Sequence, residues 1–318
     1  MNYIKLVVGK ITSALIACLI IVCFSLVVFA LDPKKSLQQY RLEELQDGLP
    51  QNSVSSIVQT KDGYLWLGTY EGVVRFDGIK FTVVDRNNTP ELKSNGVLVM
   101  LVDREGTLWI STSGGGIVQY KDKKFISYSE KDGLPSNIVY SMSESKDGGI
   151  WLGTDKGLSK IRDGKFTNYS DKQKPINNFI RSVYEDINGK VWTGTDNGGV
   201  SIFQAGEFTP CPNGENLLVK SVRTVLADLN NNIWVAGKEG VSCFSKGIWT
   251  NYTTANGLVD NYIRNLYVDT QGVVWIGTNE GLNCFKNGQL LTYTSKDGLS
   301  ASSVRCFLED HEGTLWIG

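Results

Sequence analysis

Residues 147–161 read "DGGIWLGTDKGLSKI", and the phrase around Trp151 decides the fold because the chain spells it seven times. The other copies are "GYLWLGT" (63–69), "GTLWIST" (106–112), "GKVWTGT" (189–195), "NNIWVAG" (231–237), "GVVWIGT" (272–278) and "GTLWIG" (313–318). Their tryptophans, Trp66, Trp109, Trp151, Trp192, Trp234, Trp275 and Trp316, stand 43, 42, 41, 42, 41 and 41 residues apart. Such a period fits a four-stranded propeller blade and overlaps helical HEAT or armadillo repeats, so the pattern inside the unit has to arbitrate. Each copy is a short apolar word with a turn residue three before the Trp, and the six complete copies have glycine six after it. Short apolar runs punctuated in this way are strands, and no helical repeat tolerates glycine at this density.

One unit then reads as four strands, in the first copy Val54–Val58, the Trp66 strand, Val73–Phe76 and Phe81–Val84. The eighth tryptophan, Trp249, falls where other units carry Phe81, Phe125, Phe166 and Phe208, so it is a repeat position. The seven periodic tryptophans are expected to pack between neighbouring sheets, since a blade buries its faces only against the next blade. Asp103, Asp186, Asp228, Asp269 and Asp310 stand six before their Trp, where an Asx turn satisfies backbone amides. "DLNNN" at 228–232 is partly like a calcium loop but lacks its closing carboxylate, and no metal is expected.

The chain has 318 residues, 41% apolar and 20% charged, enough for a large core. A net charge of −1 with scattered Lys and Arg excludes nucleic acid as a partner. Cys18 and Cys23 lie in an apolar segment, and Cys211, Cys243, Cys284 and Cys306 are too dispersed for a zinc site or a disulfide framework. Lys5 and Lys10 precede an uncharged run from Ile11 to Ala30, with Val28 and Ala30 placed for signal-peptidase cleavage. Residues 1–30 are therefore expected to be a signal peptide or an uncleaved signal-anchor helix, 31–36 a linker and 37–318 the propeller, exported to the periplasmic or extracellular face of the cytoplasmic membrane.

A propeller must join its last blade to its first or expose sheet edges. "LQQYRLEELQDGLPQNSV" resembles "KFISYSEKDGLPSNIV", so Leu37–Glu44 reads as the outermost strand of the last blade. The expected architecture is all-β: a seven-bladed β-propeller whose last blade is incomplete and is completed in part by this N-terminal strand, preceded by the hydrophobic helix. The break after "DHEGTLWIG" is the break expected of a fragment of a longer protein.

With "DGLPSNIVYSM" and "DGGIWLGTDKGLSKI" in view, the chain from Leu37 to Gly318 resembles the two-component regulator propeller family. The resemblance implies an extracytoplasmic sensor of a large membrane protein, with a β-sandwich, a transmembrane helix and a histidine kinase, hybrid kinase or diguanylate cyclase following it. Several such sensors respond to oligosaccharides. None of that output machinery is legible here, and the only histidine, His311, reads as an exposed turn residue.

One pattern is left after the scaffold is subtracted. Eleven residues before the Trp, units four to seven carry Arg181, Arg223, Arg264 and Arg305, whereas units one to three carry Ser55, Leu98 and Tyr140. If the first strands line an axial channel, these arginines form a one-sided basic arc suited to carboxylate or sulfate. The competing reading pairs each with a neighbouring carboxylate or stacks it on an aromatic ring. The expected partner is a small extracytoplasmic ligand, with an acidic oligosaccharide as the candidate class; no cofactor and no catalytic residue are expected. The membrane would be a partner through the N-terminal segment and through chain beyond Gly318, and a homodimer is the candidate assembly. The other function classes are a glycan-processing propeller enzyme, sialidase-like or lyase-like, and a protein-interaction scaffold.

Overall fold

The structure is a computed structural model that describes residues 3–7, 41–45, 48–169 and 178–318. Apart from four short 3-10 turns, its regular elements are strands, grouped in sheets of four. In the first blade, Val54–Gln59, Leu65–Thr69, Gly72–Phe76 and Phe81–Val84 pair in sequence order, each antiparallel to the next. Five more blades repeat this order, with first strands Val97–Val102, Val139–Glu144, Ile180–Glu185, Val222–Ala227 and Ile263–Val268. Among the described residues no helix is long and apolar enough to cross a membrane.

Six blades, not seven, are complete. The last unit contributes two strands, Phe307–Glu309 and Leu315–Ile317, to a seventh sheet. Tyr3–Val7 pairs with Leu315–Ile317, and Arg41–Leu45 forms the outer edge. The expected outer strand at Leu37–Glu44 is thus found at Arg41–Leu45, while residues 37–40 lie outside the described residues. The hydrophobic helix expected over 1–30 is not seen at its start, where Tyr3–Val7 is a strand; residues 8–40 lie outside the described residues. The physical reason is edge pairing: the Trp316 strand would present an open row of backbone groups, and "YIKLV" has the β-branched and aromatic content of a strand.

Blades meet through their first strands, which abut in order, and Phe307–Glu309 touches both Ile263–Val268 and Val54–Gln59. Trp66, Trp151, Trp192, Trp234, Trp275 and Trp316 are at most 6% exposed and Trp109 is 7% exposed, each within a core cluster shared by adjacent units. Burying an indole leaves its N–H in need of an acceptor. Five tryptophans donate to the aspartate six residues earlier at 2.7–2.9 Å, and the other oxygen of that aspartate caps the turn amides. Two units lack the aspartate. Trp66 uses Thr60 Oγ1 at 3.0 Å, and Trp151 reaches across to Glu185 Oε2 of the next blade at 2.5 Å.

The residue seven before the Trp straps blades together. Glu144, Glu185 and Glu309 accept from the backbone N–H of Arg104, Lys146 and Thr270 in the preceding blade. Gln59 does the same for His311 N at 2.8 Å, linking the last unit to the first. Sequence words ending in D-G-L or N-G-L are also explained. Ser129, Thr253 and Thr294 form capping boxes with Asp132, Asn256 and Asp297 on one-turn 3-10 helices. Gly133, Gly257 and Gly298 follow at positive φ, and Leu134, Leu258 and Leu299 plug into the core as the chain turns into the next first strand.

Candidate functional site

The four arginines share a backbone feature that the sequence does not display. In every complete blade the pairing of first and second strands slips by one residue near its start, between Val54 and Ser56, Val97 and Val99, Val139 and Ser141, Ile180 and Ser182, Val222 and Thr224, and Ile263 and Asn265. The extra residue is Ser55, Leu98, Tyr140, Arg181, Arg223 or Arg264, the position eleven before the Trp. The last unit repeats the device, since the N–H groups of both Arg305 and Cys306 donate to the Gly318 carbonyl. A bulge leaves one residue outside the ladder, bends the strand and re-aims its side chain. Here the extra residue stands at the rim where each first strand begins.

On that rim the arginines fall into two groups, all half-buried. Arg181 lies over the rings of Tyr140 and Phe179 at 4.9 and 5.5 Å, and those rings pack at 4.8 Å. Arg223 and Arg264 both lie over the Tyr262 ring, at 4.7 and 4.8 Å; Arg223 also donates to the Tyr262 hydroxyl, and Arg264 Nε donates to Asn279 Oδ1 at 2.6 Å. Burial, followed by the positive charges of Arg305 and Arg223, lowers the pKa of Arg264 from its ordinary value. Ordinary stacking on aromatics holds three of the four arginines, as the competing reading expected. Carboxylates do not: among the described residues none forms an ion pair with the four guanidinium groups. Arg223 Nε is buried and has no hydrogen-bond partner.

A cleft of about 690 Å³ lies at the opposite end of the blades, between the first and second. Three of its four cations are engaged: Lys121 pairs with Glu105 at 2.6 Å, Lys61 donates to the Arg104 carbonyl, and Arg75 stacks on Tyr64 at 4.6 Å. The rim is therefore the better candidate. Among the described residues no cluster of His, Cys, Asp and Glu could hold a metal. Asp228 spends its oxygens on Asn230, Asn232 and Trp234. Burial pushes the thiols of Cys243 and Cys306 up to about 12, so they are inert fillers.

Six stretches, residues 48–71, 91–114, 133–156, 174–197, 257–280 and 298–318, match the model described as the two-component regulator propeller. The chain belongs to the two-component regulator propeller family. The regulator-propeller unit without a match surrounds Trp234, where Asn231 at φ 61° replaces the turn glycine and Ala236–Gly237 replaces Gly-Thr. Among solved structures, the extracellular domain of a protein described as a hybrid two-component system of B. thetaiotaomicron is 28% identical at a TM-score of 0.75, covering 85% of this chain and 38% of that one. A second such domain from B. thetaiotaomicron is 22% identical at a TM-score of 0.55, covering 87% of this chain and 40% of that one. The regulator propeller thus spans well under half of these relatives. Virginiamycin B lyase from Staphylococcus aureus shares the fold alone, at 13% identity and a TM-score of 0.65, covering 85% of this chain and 96% of that one. No curated protein matches. A sensing propeller placed outside the cytoplasm in its relatives is what these likenesses support.

Tyr262 and Phe179 were missed by sequence reasoning, although both occupy the position thirteen before the Trp. The usable signal was an aromatic residue two before an arginine.

Proposed function

We propose that this chain is the extracytoplasmic ligand-sensing propeller of a membrane-bound signal-transduction protein, itself not an enzyme, that controls a histidine kinase outside these residues. In this reading the propeller ring is seven-bladed, and Arg181, Arg223, Arg264 and Arg305 anchor the ligand, an acidic oligosaccharide. The observation that carries the site is that Arg223 and Arg264 share the Tyr262 ring with no ion-paired carboxylate and that Arg223 Nε is buried and unpaired. Leaving like charges together and a donor unsatisfied is unfavourable, and an oxyanion would relieve both at once. The similarity to extracellular domains of hybrid two-component systems supports the sensing role.

Calorimetric titration with acidic and neutral glycan libraries tests the reading. Acidic glycans should bind, and Arg223→Ala and Arg264→Ala should each weaken binding by about tenfold or more, the loss of one charge-assisted contact. Binding of neutral glycans only, or unchanged affinity in both variants, defeats it.

A further inference from the structure

Two of the rim arginines, from different blades, share one aromatic ring. Arg223 belongs to the first strand of the fifth blade and Arg264 to that of the sixth, and both guanidinium groups lie over Tyr262 at 4.7 and 4.8 Å. Their dependence on that ring differs. Arg264 has a second hold, because its Nε donates to Asn279 Oδ1 at 2.6 Å. Arg223 does not. Its hydrogen bond also goes to Tyr262, at the hydroxyl, and among the described residues its guanidinium makes no other hydrogen bond, ring contact or ion pair. Tyr262 is itself fixed: its backbone N–H donates to Asp260 Oδ1 at 3.1 Å, and the next residue, Ile263, is fully buried.

Guanidinium groups of like charge repel, and a long side chain loses rotamer freedom when it is held in one place. The face of an aromatic ring attracts cations and offsets that repulsion, and a hydroxyl acceptor adds direction. An arginine ordered in advance does not have to be ordered by its ligand, which is worth up to about tenfold in affinity. We infer that Tyr262 is the positioning residue of the anion site, holding Arg223 through ring and hydroxyl and Arg264 through the ring before an oxyanion arrives. This rests on the sensing reading and names the residue that prepares that same site.

The test takes glucose 6-sulfate as the probe and reads affinity from the ligand-induced rise in melting temperature, which reports weak binding as well as tight. The unmodified chain should bind. Tyr262→Phe keeps the ring and should weaken binding by about three- to tenfold, the worth of one hydrogen bond, and Tyr262→Leu, which removes the ring as well, should weaken it further. Tyr140 is the control, since it lies under Arg181 at 4.9 Å and its hydroxyl makes no hydrogen bond among the described residues. Tyr140→Phe should leave the affinity as it was. A double-mutant cycle separates positioning from a general loss of stability: in Arg223→Ala, Tyr262→Phe should have no further effect, because the arginine held by the hydroxyl is gone. A Tyr262→Phe loss of equal size with and without Arg223 overturns the inference, as does wild-type affinity in both Tyr262 variants, and either result leaves the arginines as the ligand's anchors. If the unmodified chain does not bind glucose 6-sulfate, both the inference and the reading on which it rests fall.

Discussion

Asp269 offers the sharpest test of how the repeat word stabilises a blade. It is 2% exposed and accepts three bonds, from Gln271 N at 3.0 Å, Val273 N at 2.8 Å and Trp275 Nε1 at 2.8 Å. Val273 and Trp275 are 1% and 3% exposed, so water cannot replace the carboxylate without opening the blade. Asp269→Ala therefore orphans two buried donors and frays one turn, each donor at about 1–3 kcal/mol. Burial raises the carboxyl pKa above its ordinary value, which means the wild-type carboxylate bears a desolvation penalty that the variant escapes. The net loss should be about 3–5 kcal/mol in urea unfolding followed by tryptophan fluorescence and circular dichroism. Asp269→Asn sharpens the result, because its amide can present N–H to the indole N–H. Pairing it with Trp275→Phe should recover about 1–2 kcal/mol of coupling. A loss below about 1 kcal/mol for Asp269→Ala, or additive behaviour in the cycle, would refute the account.

Three further outcomes follow from other positions. Gly281 sits at φ 144° and a Cβ there would lie 2.5 Å from the Tyr293 carbonyl, whereas Gly63 at φ 88° has nothing within 4 Å; Gly281→Ala should lower the melting temperature clearly more than Gly63→Ala. Against the raising effect of partial burial, Lys160 and the Gly149 amide hold Asp147 down to about 2, so its contribution is complete above pH 3.8 and is lost as pH falls from 3.8 towards 2. Melting temperatures of wild type and Asp147→Asn should converge across that window and separate above it, with wild type higher. Sulfate should raise the melting temperature more than chloride at equal ionic strength, and Arg264→Gln should shrink that difference, because a divalent oxyanion relieves the repulsion among Arg223, Arg264 and Arg305.

The tryptophan period and the glycine spacing made the blade legible, since both are local consequences of four short strands joined by tight turns. The aspartate turns were equally visible, although the second duty of Asp103, Asp186, Asp228, Asp269 and Asp310, accepting the indole N–H, was not. The arginine position could be counted but not interpreted. A β-bulge is a change of register between two strands and has no residue signature of its own, so Ser55, Leu98 and Tyr140 mark the same bulge as Arg223. The straps from Glu144, Glu185, Glu309 and Gln59 join residues about one blade or a whole ring apart and become visible only when blades are placed side by side. The expectation of a helix over 1–30 rested on the uncharged run from Ile11 to Ala30, which lies outside the described residues; what it did not foresee is the open strand edge of Leu315–Ile317, beside which Tyr3–Val7 lies as a strand.

The central claim is that the rim of bulge residues binds an acidic ligand. A crystal structure of the chain grown with a sulfated glycan tests it most directly. The account predicts an oxyanion within hydrogen-bond distance of Arg223 Nε and of the Arg264 guanidinium, with both arginines still over the Tyr262 ring. Ligand density confined to the cleft lined by Lys61, Tyr64 and Arg75, with the arginine rim unchanged, would contradict it.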